Sequence, residues 1–143
     1  MKLLKLLTTA ICILGVAAQR SFIEAPVAGA KVSAGKQFIV QLVRPNSLQG
    51  STEVGLVIGL VSCTSDPTGA CPPTSSQLGT ILFNGDYNPQ LHEQPGRPYQ
   101  NFTLTVPAQF TRGKAQVATA RFHLIGAGPS PVLELNNVII TVA

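Results

Sequence analysis

The chain has 143 residues, 45% hydrophobic and 11% charged, with 13 Gly, 11 Pro, no Trp and a formal net charge of +4. That length suits one domain with a real apolar core, and the absence of a basic run interleaved with aromatics excludes a nucleic-acid interface. Lys2 and Lys5 account for two of the ten basic residues, so the rest of the chain carries 8 Lys plus Arg against 6 Asp plus Glu and is close to neutral.

Lys2 and Lys5 lead an apolar run from Leu3 to Val16, which closes on the small residues Val16, Ala17 and Ala18. This is the three-part pattern of a secretory signal, and the run is shorter than the roughly 20 residues a membrane-spanning helix needs. Residues 1–18 are expected to be removed, leaving a mature chain from Gln19. Residues 136–143 lack the polar spacer and long apolar tail of a lipid-anchor signal. The expectation is an extracellular, monomeric protein without a membrane anchor.

The mature chain reads as strands. Residues 21–25 form a short first run. In 37–43, Phe38, Val40 and Leu42 share one face, the period-2 signature of a half-buried antiparallel strand. Residues 54–61 are apolar on both faces. With Val54 turned inward, the second face holds Gly55, Val57, Gly59 and Val61, and it needs a cover. Either the loop 86–98 or the loop between the cysteines folds over it, or a partner protein does, which makes Val57 and Val61 candidate interaction residues.

Cys12 leaves with the leader, so Cys63 and Cys71 remain in an oxidising compartment, separated by the turn-rich 64–70. They are expected to form a disulfide; a metal site would need further Cys or His nearby. A run at 78–83 follows. The long loop 86–98 is flanked by Tyr87 and Tyr99, the only tyrosines, and is the first place to look for a binding surface.

Residues 101–106 alternate again, with Phe102, Leu104 and Val106 inward. Asn101-Phe-Thr103 is an N-glycosylation triplet whose Asn faces outward. In 114–124 the alternation is read with Ala118, Ala120, Phe122 and Leu124 inward and Thr119, Arg121 and His123 outward. Residues 133–142 supply the last strand. About seven strands separated by Gly, Pro and Asn turns predict an all-β fold, a single immunoglobulin/fibronectin-like antiparallel β-sandwich spanning 19–143. It lacks the buried Trp and the widely spaced Cys pair of antibody domains.

Catalytic chemistry has little to stand on. Glu24, Glu53, Asp66, Asp86, Glu93 and Glu134 are scattered along the chain and read as solvated carboxylates. A glycosidase needs two opposed carboxylates; Glu53 and Glu134 are the pair free to meet in three dimensions, but nothing in their context singles them out. No nucleophile stands in a strand-turn-helix setting. His92 and His123 are isolated, and neither stands at the mature N-terminus where a copper monooxygenase needs one. No enzyme activity, metal or cofactor is expected.

The string Phe22-Ile-Glu-Ala-Pro26, Gly29, Val32 with Gly35, Val43-Arg-Pro-Asn46, Gly50-Ser-Thr-Glu-Val54, Tyr99-Gln-Asn-Phe-Thr103, Val106-Pro107, Lys114-Ala-Gln116 and Phe122-His-Leu-Ile-Gly-Ala127 resembles the fungal necrosis-inducing secreted effector family. The resemblance implies a non-enzymatic protein that binds host (plant) immune receptor-associated kinases and damps immunity. Pro26-Val-Ala-Gly29 followed by Val32-Ser-Ala-Gly35 is similar to the opening hairpin of fungal cell-wall assembly proteins of the β-1,6-glucan pathway. That second likeness implies a wall-associated structural or carbohydrate-binding module, with a wall glycan as ligand. An unrecognised secreted enzyme is the third class. Carbohydrate sites commonly stack sugars on planar aromatics, which leaves Tyr87 and Tyr99 as the stacking candidates.

Overall fold

A computed structural model describes residues 20–47 and 49–143; the expected leader at 1–18 lies outside the described residues. Every regular element described is a β-strand. They are β1 (Phe22–Ala25), β2 (Lys31–Val32), β3 (Gln37–Val43), β4 (Ser51–Ser62), β5 (Thr80–Gly85), β6 (Tyr99–Thr105), β7 (Gly113–Ile125) and β8 (Ser130–Val142). The expected seven strands are therefore eight. The extra one, β2, is two residues long and pairs parallel to the end of β8, too short to show any alternation in sequence.

The strands make two sheets, a three-stranded one ordered β1-β3-β6 and a five-stranded one ordered β2-β8-β7-β4-β5. Their inward residues share one apolar core. Val40 and Leu42 of β3 and Phe102 and Leu104 of β6 meet Leu56, Ile58 and Leu60 of β4, Val117 of β7 and Ile140 and Val142 of β8. Phe83 of β5 packs on Phe102 with ring centroids 4.7 Å apart. The alternation expected for β3 and β6 holds, with Val40 paired to Phe102.

Two strands correct the sequence reading. In β4 the pairing with β7 shifts register between Glu53 and Gly55, a bulge that leaves Val54 exposed and not inward. A bulge inserts one residue, so facing reverses across it: Glu53 points inside before it, and Leu56, Ile58 and Leu60 point inside after it. In β7 the expected facing is inverted. Thr119, Arg121 and His123 are inside and fully buried, while Phe122 is on the outer face and 38% exposed. Alternation identifies two faces without saying which is inner, and Glu53, the bidentate partner of Arg121, lies 68 residues away in sequence.

The outer face of the five-stranded sheet is covered over part of its length. Cys63 and Cys71 are joined as expected, which in a chain-entropy picture contributes about 2.5 kcal/mol. From that bridge the chain runs across the sheet. Lys114 donates to the Gly69 carbonyl at 2.6 Å, Gln116 to the Pro72 carbonyl at 3.1 Å, and Asn137 to Thr74 Oγ1 at 3.2 Å. Leu78 crosses so close to β4 that a Cβ on Gly59 would lie 2.1 Å from the Leu78 carbonyl oxygen, and one on Gly79 would lie 2.3 Å from that of Leu60. Glycine at both positions is thus a packing requirement.

The loop 86–98 lies elsewhere, on the three-stranded sheet. Arg44 and Asn46 donate backbone bonds to Pro98 and Gly96. Arg97 stands over the Phe22 ring at 5.5 Å, and Val43, between Phe22 and Tyr99 in the pairing, is fully buried. Neither cover expected for β4, the loop 86–98 or the loop between the cysteines, is the one that lies on Gly59 and Val61; the segment after the disulfide, at Leu78 and Gly79, does so.

Candidate functional site

The inward side chains of the five-stranded sheet change character along its length. One row reads Leu60, Val117, Val138; the next Ile58, Thr119, Asn136; the next Leu56, Arg121, Glu134; the last Glu53, His123, Val132. Four charged groups gather at this second end. Arg121, 1% exposed, donates from Nε to Glu53 Oε2 at 2.7 Å and from Nη2 to Glu53 Oε1 at 2.5 Å, a bidentate pair. Its Nη1 reaches Glu134 Oε1 at 3.4 Å. Arg44, the first residue after β3, donates to Glu53 Oε1 at 3.2 Å from the rim.

The remaining partners come from distant segments. The Ser21 amide donates to Glu134 Oε1 at 2.7 Å, its hydroxyl donates to the same oxygen, and Asn136 Nδ2 donates to Ser21 Oγ at 3.1 Å. Tyr87 stacks its ring 5.7 Å from the Arg121 guanidinium and donates its buried hydroxyl to the Leu42 carbonyl at 2.9 Å. Two guanidiniums and two carboxylates balance in charge, which is what lets an ionic group stay in an interior.

Burial alone would raise the Glu53 carboxyl, but the hydrogen bonds and charges of Arg121 and Arg44 outweigh it and hold it below the usual carboxylate value. Burial and the neighbouring Arg121 charge push the His123 imidazole down. Burial also pushes the Tyr87 phenol well up, so it stays a neutral donor. Among the described residues, His123 Nδ1 and Thr119 Oγ1 are buried without a hydrogen-bond partner.

A cavity of about 210 Å³ opens at this end, lined by residues 44–47 and 49–51 together with Arg121, His123 and Ile125. Glu53 and Glu134 are not among its lining residues. Arg44 and Arg121 are among them, with the Arg121 side chain 1% exposed and its guanidinium taken up by Glu53 and Glu134.

None of this cluster was singled out by sequence as a site. Glu53 and Glu134, read as solvated carboxylates, do meet, but through Arg121 in the interior. A sign was available: Glu134 stands between Leu133 and Leu135 inside a strand, where a carboxylate needs a partner.

The residues expected to form an interaction surface are dispersed. Tyr87 is buried under Arg121 and offers no stacking face. Tyr99 is half-buried, with its ring on His92 at 3.8 Å and its hydroxyl donating to Glu93 at 3.4 Å. It lines a shallow pocket with Glu24, Gln41 and Arg97. Val61 is 7% exposed beneath the chain that crosses from the disulfide, whereas Val57 remains half-exposed on the outer face. Asn101 is exposed on β6, as expected, and accepts a bond from Gln41 Nε2 at 2.9 Å.

Val57 belongs to a larger apolar strip. Leu135, Ala120 and Val57 are direct cross-strand neighbours on the outer face, and the next row holds Leu133, Phe122 and Gly55. Leu133 is 63% exposed and Val54 48%. Among the described residues no helix is long and apolar enough to cross a membrane.

The model of the Nis1 family matches residues 16–141. The chain belongs to the Nis1 family. A comparison with curated proteins finds no match. Most of the motif string that carries the necrosis-inducing resemblance lies within the described strands, while the buried charged end and the outer apolar strip of this Nis1-family chain draw on β4, β7 and β8, with Ser21 from just before β1 and Arg44 from just after β3.

Proposed function

We propose that this chain is a secreted, non-enzymatic effector protein of the necrosis-inducing type, which binds host proteins such as immune receptor-associated kinases and damps immunity. The observation that carries this reading is the exposed apolar strip of Val54, Val57, Phe122 and Leu133 on the five-stranded sheet. Contiguous apolar surface beside small residues suits a protein partner. Membership of the Nis1 family supports the effector role. The Cys63–Cys71 bridge supports secretion into an oxidising compartment behind a cleaved leader, and the exposed Asn101 supports a glycan there.

An immunoglobulin-type sandwich fits the strand order. β3 beside β6 in one sheet, and β4, β7 and β8 adjacent in the other, correspond to the B–E and C–F–G neighbours of that fold. A non-enzymatic role is favoured because the acids that converge, Glu53 and Glu134, are both engaged by Arg121. A wall-glycan ligand stacked on tyrosines loses support, since Tyr87 is interior and Tyr99 already stacks on His92.

The test is capture of receptor-associated kinase domains by the purified protein. Leu133→Asp and Val57→Asp should abolish capture while unfolding stays within about 0.5 kcal/mol of wild type, as for ordinary surface changes. Undiminished capture by both folded variants would remove the strip from the reading, and no capture by wild type would remove the kinase partner.

A further inference from the structure

The outer face of the three-stranded sheet carries a feature that the partner strip, on the other sheet, does not use. Glu24, Gln41, Glu93, Gln94, Arg97 and Tyr99 line a pocket of about 240 Å³ there, between the strands and the loop 86–98. Its charges call for no ion. Arg97 donates to Glu24 at 3.0 Å and to Gln94 at 2.6 Å, and the exposed Glu93 accepts from the Tyr99 hydroxyl. What the lining leaves over is acceptors: among the described residues Glu24 Oε2, Glu93 Oε1 and Gln41 Oε1 take part in no hydrogen bond. A neutral ligand rich in O–H and N–H donors suits that set, and an anion does not.

Asn101 stands beside this pocket. It is paired directly opposite Gln41 in the β3–β6 ladder and lies two residues from Tyr99 on the same side of β6, about 7 Å along the strand. Gln41 Nε2 donates to Asn101 Oδ1 at 2.9 Å. That bond leaves Nδ2, the nitrogen that carries an N-linked glycan, without a partner among the described residues. Asn101 and Thr103, the two ends of the acceptor triplet, are both exposed.

We infer that the pocket is the seat of the first N-acetylglucosamine of a glycan on Asn101, an inference that rests on the secreted, glycosylated reading above and gives that glycan a structural task. The volume of about 240 Å³ equals that of about eight liquid waters, room for one pyranose ring with its acetamide. The sugar hydroxyls and the acetamide N–H donate to the free oxygens of Glu24, Glu93 and Gln41. The Tyr99 ring, backed by His92, is a wall of the pocket and not a stacking platform. A sugar held there ties Gln41 of β3 to Glu93 and Gln94 of the loop 86–98. That loop bonds to β6 through the Gln90–Tyr99 backbone pair, 3.0 Å in each direction, so the glycan is a clasp that keeps the loop closed on the sheet. It occupies the three-stranded face and leaves the five-stranded face to a protein partner.

The experiment compares three forms of the protein secreted from a glycosylating eukaryotic host, after intact mass has read the occupancy of Asn101. They are the whole glycoprotein, the same protein trimmed by an endoglycosidase to a single N-acetylglucosamine, and Asn101→Gln, which carries no sugar. The readout is hydrogen exchange at the Gln90 and Tyr99 amides, which reports local opening of the loop. Both sugar-bearing forms should exchange about five-fold or more slowly than Asn101→Gln, the factor that accompanies one net hydrogen bond. The trimmed form should match the whole glycoprotein, because the first sugar makes the contacts. Glu93→Ala should remove most of the difference between the trimmed form and Asn101→Gln, a coupling that a merely bulky glycan would not show. The inference is overturned by an unmodified Asn101, by equal exchange in the trimmed form and Asn101→Gln, or by an undiminished difference in folded Glu93→Ala. Capture of kinase domains is measured apart, and its failure bears on the partner reading alone.

Discussion

The two ends of the space between the sheets are built on the same strands and solved differently. Around Leu60, Val117 and Ile140 the inward side chains are aliphatic, and the core holds by excluding water. A few residues along the same strands, Glu53, Arg121 and Glu134 take equivalent inward positions, and the interior holds by mutual satisfaction of charges and hydrogen bonds. The apolar end tolerates any well-shaped hydrocarbon. The charged end tolerates little, because each group justifies the burial of the next. A packed aliphatic row is sufficient for stability, whereas the ionic end holds only while its charges stay paired.

The largest expected effect comes from breaking the charged end. Arg121→Ala leaves Glu53 and Glu134 buried without their shared cation and should destabilise the protein by about 3–5 kcal/mol in urea unfolding. Leu60→Ala at the apolar end should cost about 2–4 kcal/mol by cavity formation. The comparison breaks if Arg121→Met combined with Glu53→Gln and Glu134→Gln stays as unstable as Arg121→Ala, because the loss then lies in packing and not in uncompensated charge.

Acid sharpens the contrast. His123 is held below its ordinary value of 6.5, so the unfolded chain takes up a proton before the folded one does, and stability falls as pH drops through about 6.5. Glu53 is held below 4.5, so its contribution is complete above that value and is lost as pH falls towards the folded pKa. Stability measured from pH 8 to pH 3 should therefore decline in two steps. His123→Asn should remove the first and Glu53→Gln the second, while Leu60→Ala shifts the whole curve without changing its shape. A curve of wild-type shape in either of the first two variants would contradict the assigned burial.

The smallest effect belongs to the exposed pair Arg97–Glu24, 3.0 Å apart on the other sheet with both side chains over a third exposed. Arg97→Ala should change stability by no more than about 1 kcal/mol, since solvent and salt screen such a pair. A loss comparable to Arg121→Ala would erase the distinction between the two kinds of ion pair.

Short-range features were legible from the chain alone: the all-β class, the alternation of β3 and β6, the Cys63–Cys71 pairing and the outward Asn101. Each depends on neighbours a few residues apart, through pleat geometry, turn residues or a short loop. The double-sided apolar run in β4 was legible as a need for cover, and Val57 as part of an exposed strip.

Tertiary structure alone decided which face of β7 is inside. Ala118, Ala120 and Phe122 look more apolar than Thr119, Arg121 and His123, and on composition they belong to the core. What reverses this is the arrival of Glu53 from β4, turned inward by the bulge at Val54, of Glu134 from β8, and of Ser21 from before β1, 113 residues from Glu134. A local pattern measures only how apolar a face is. The free energy of burying a guanidinium depends on which carboxylates reach it, and that is set by the pairing of strands distant in the chain.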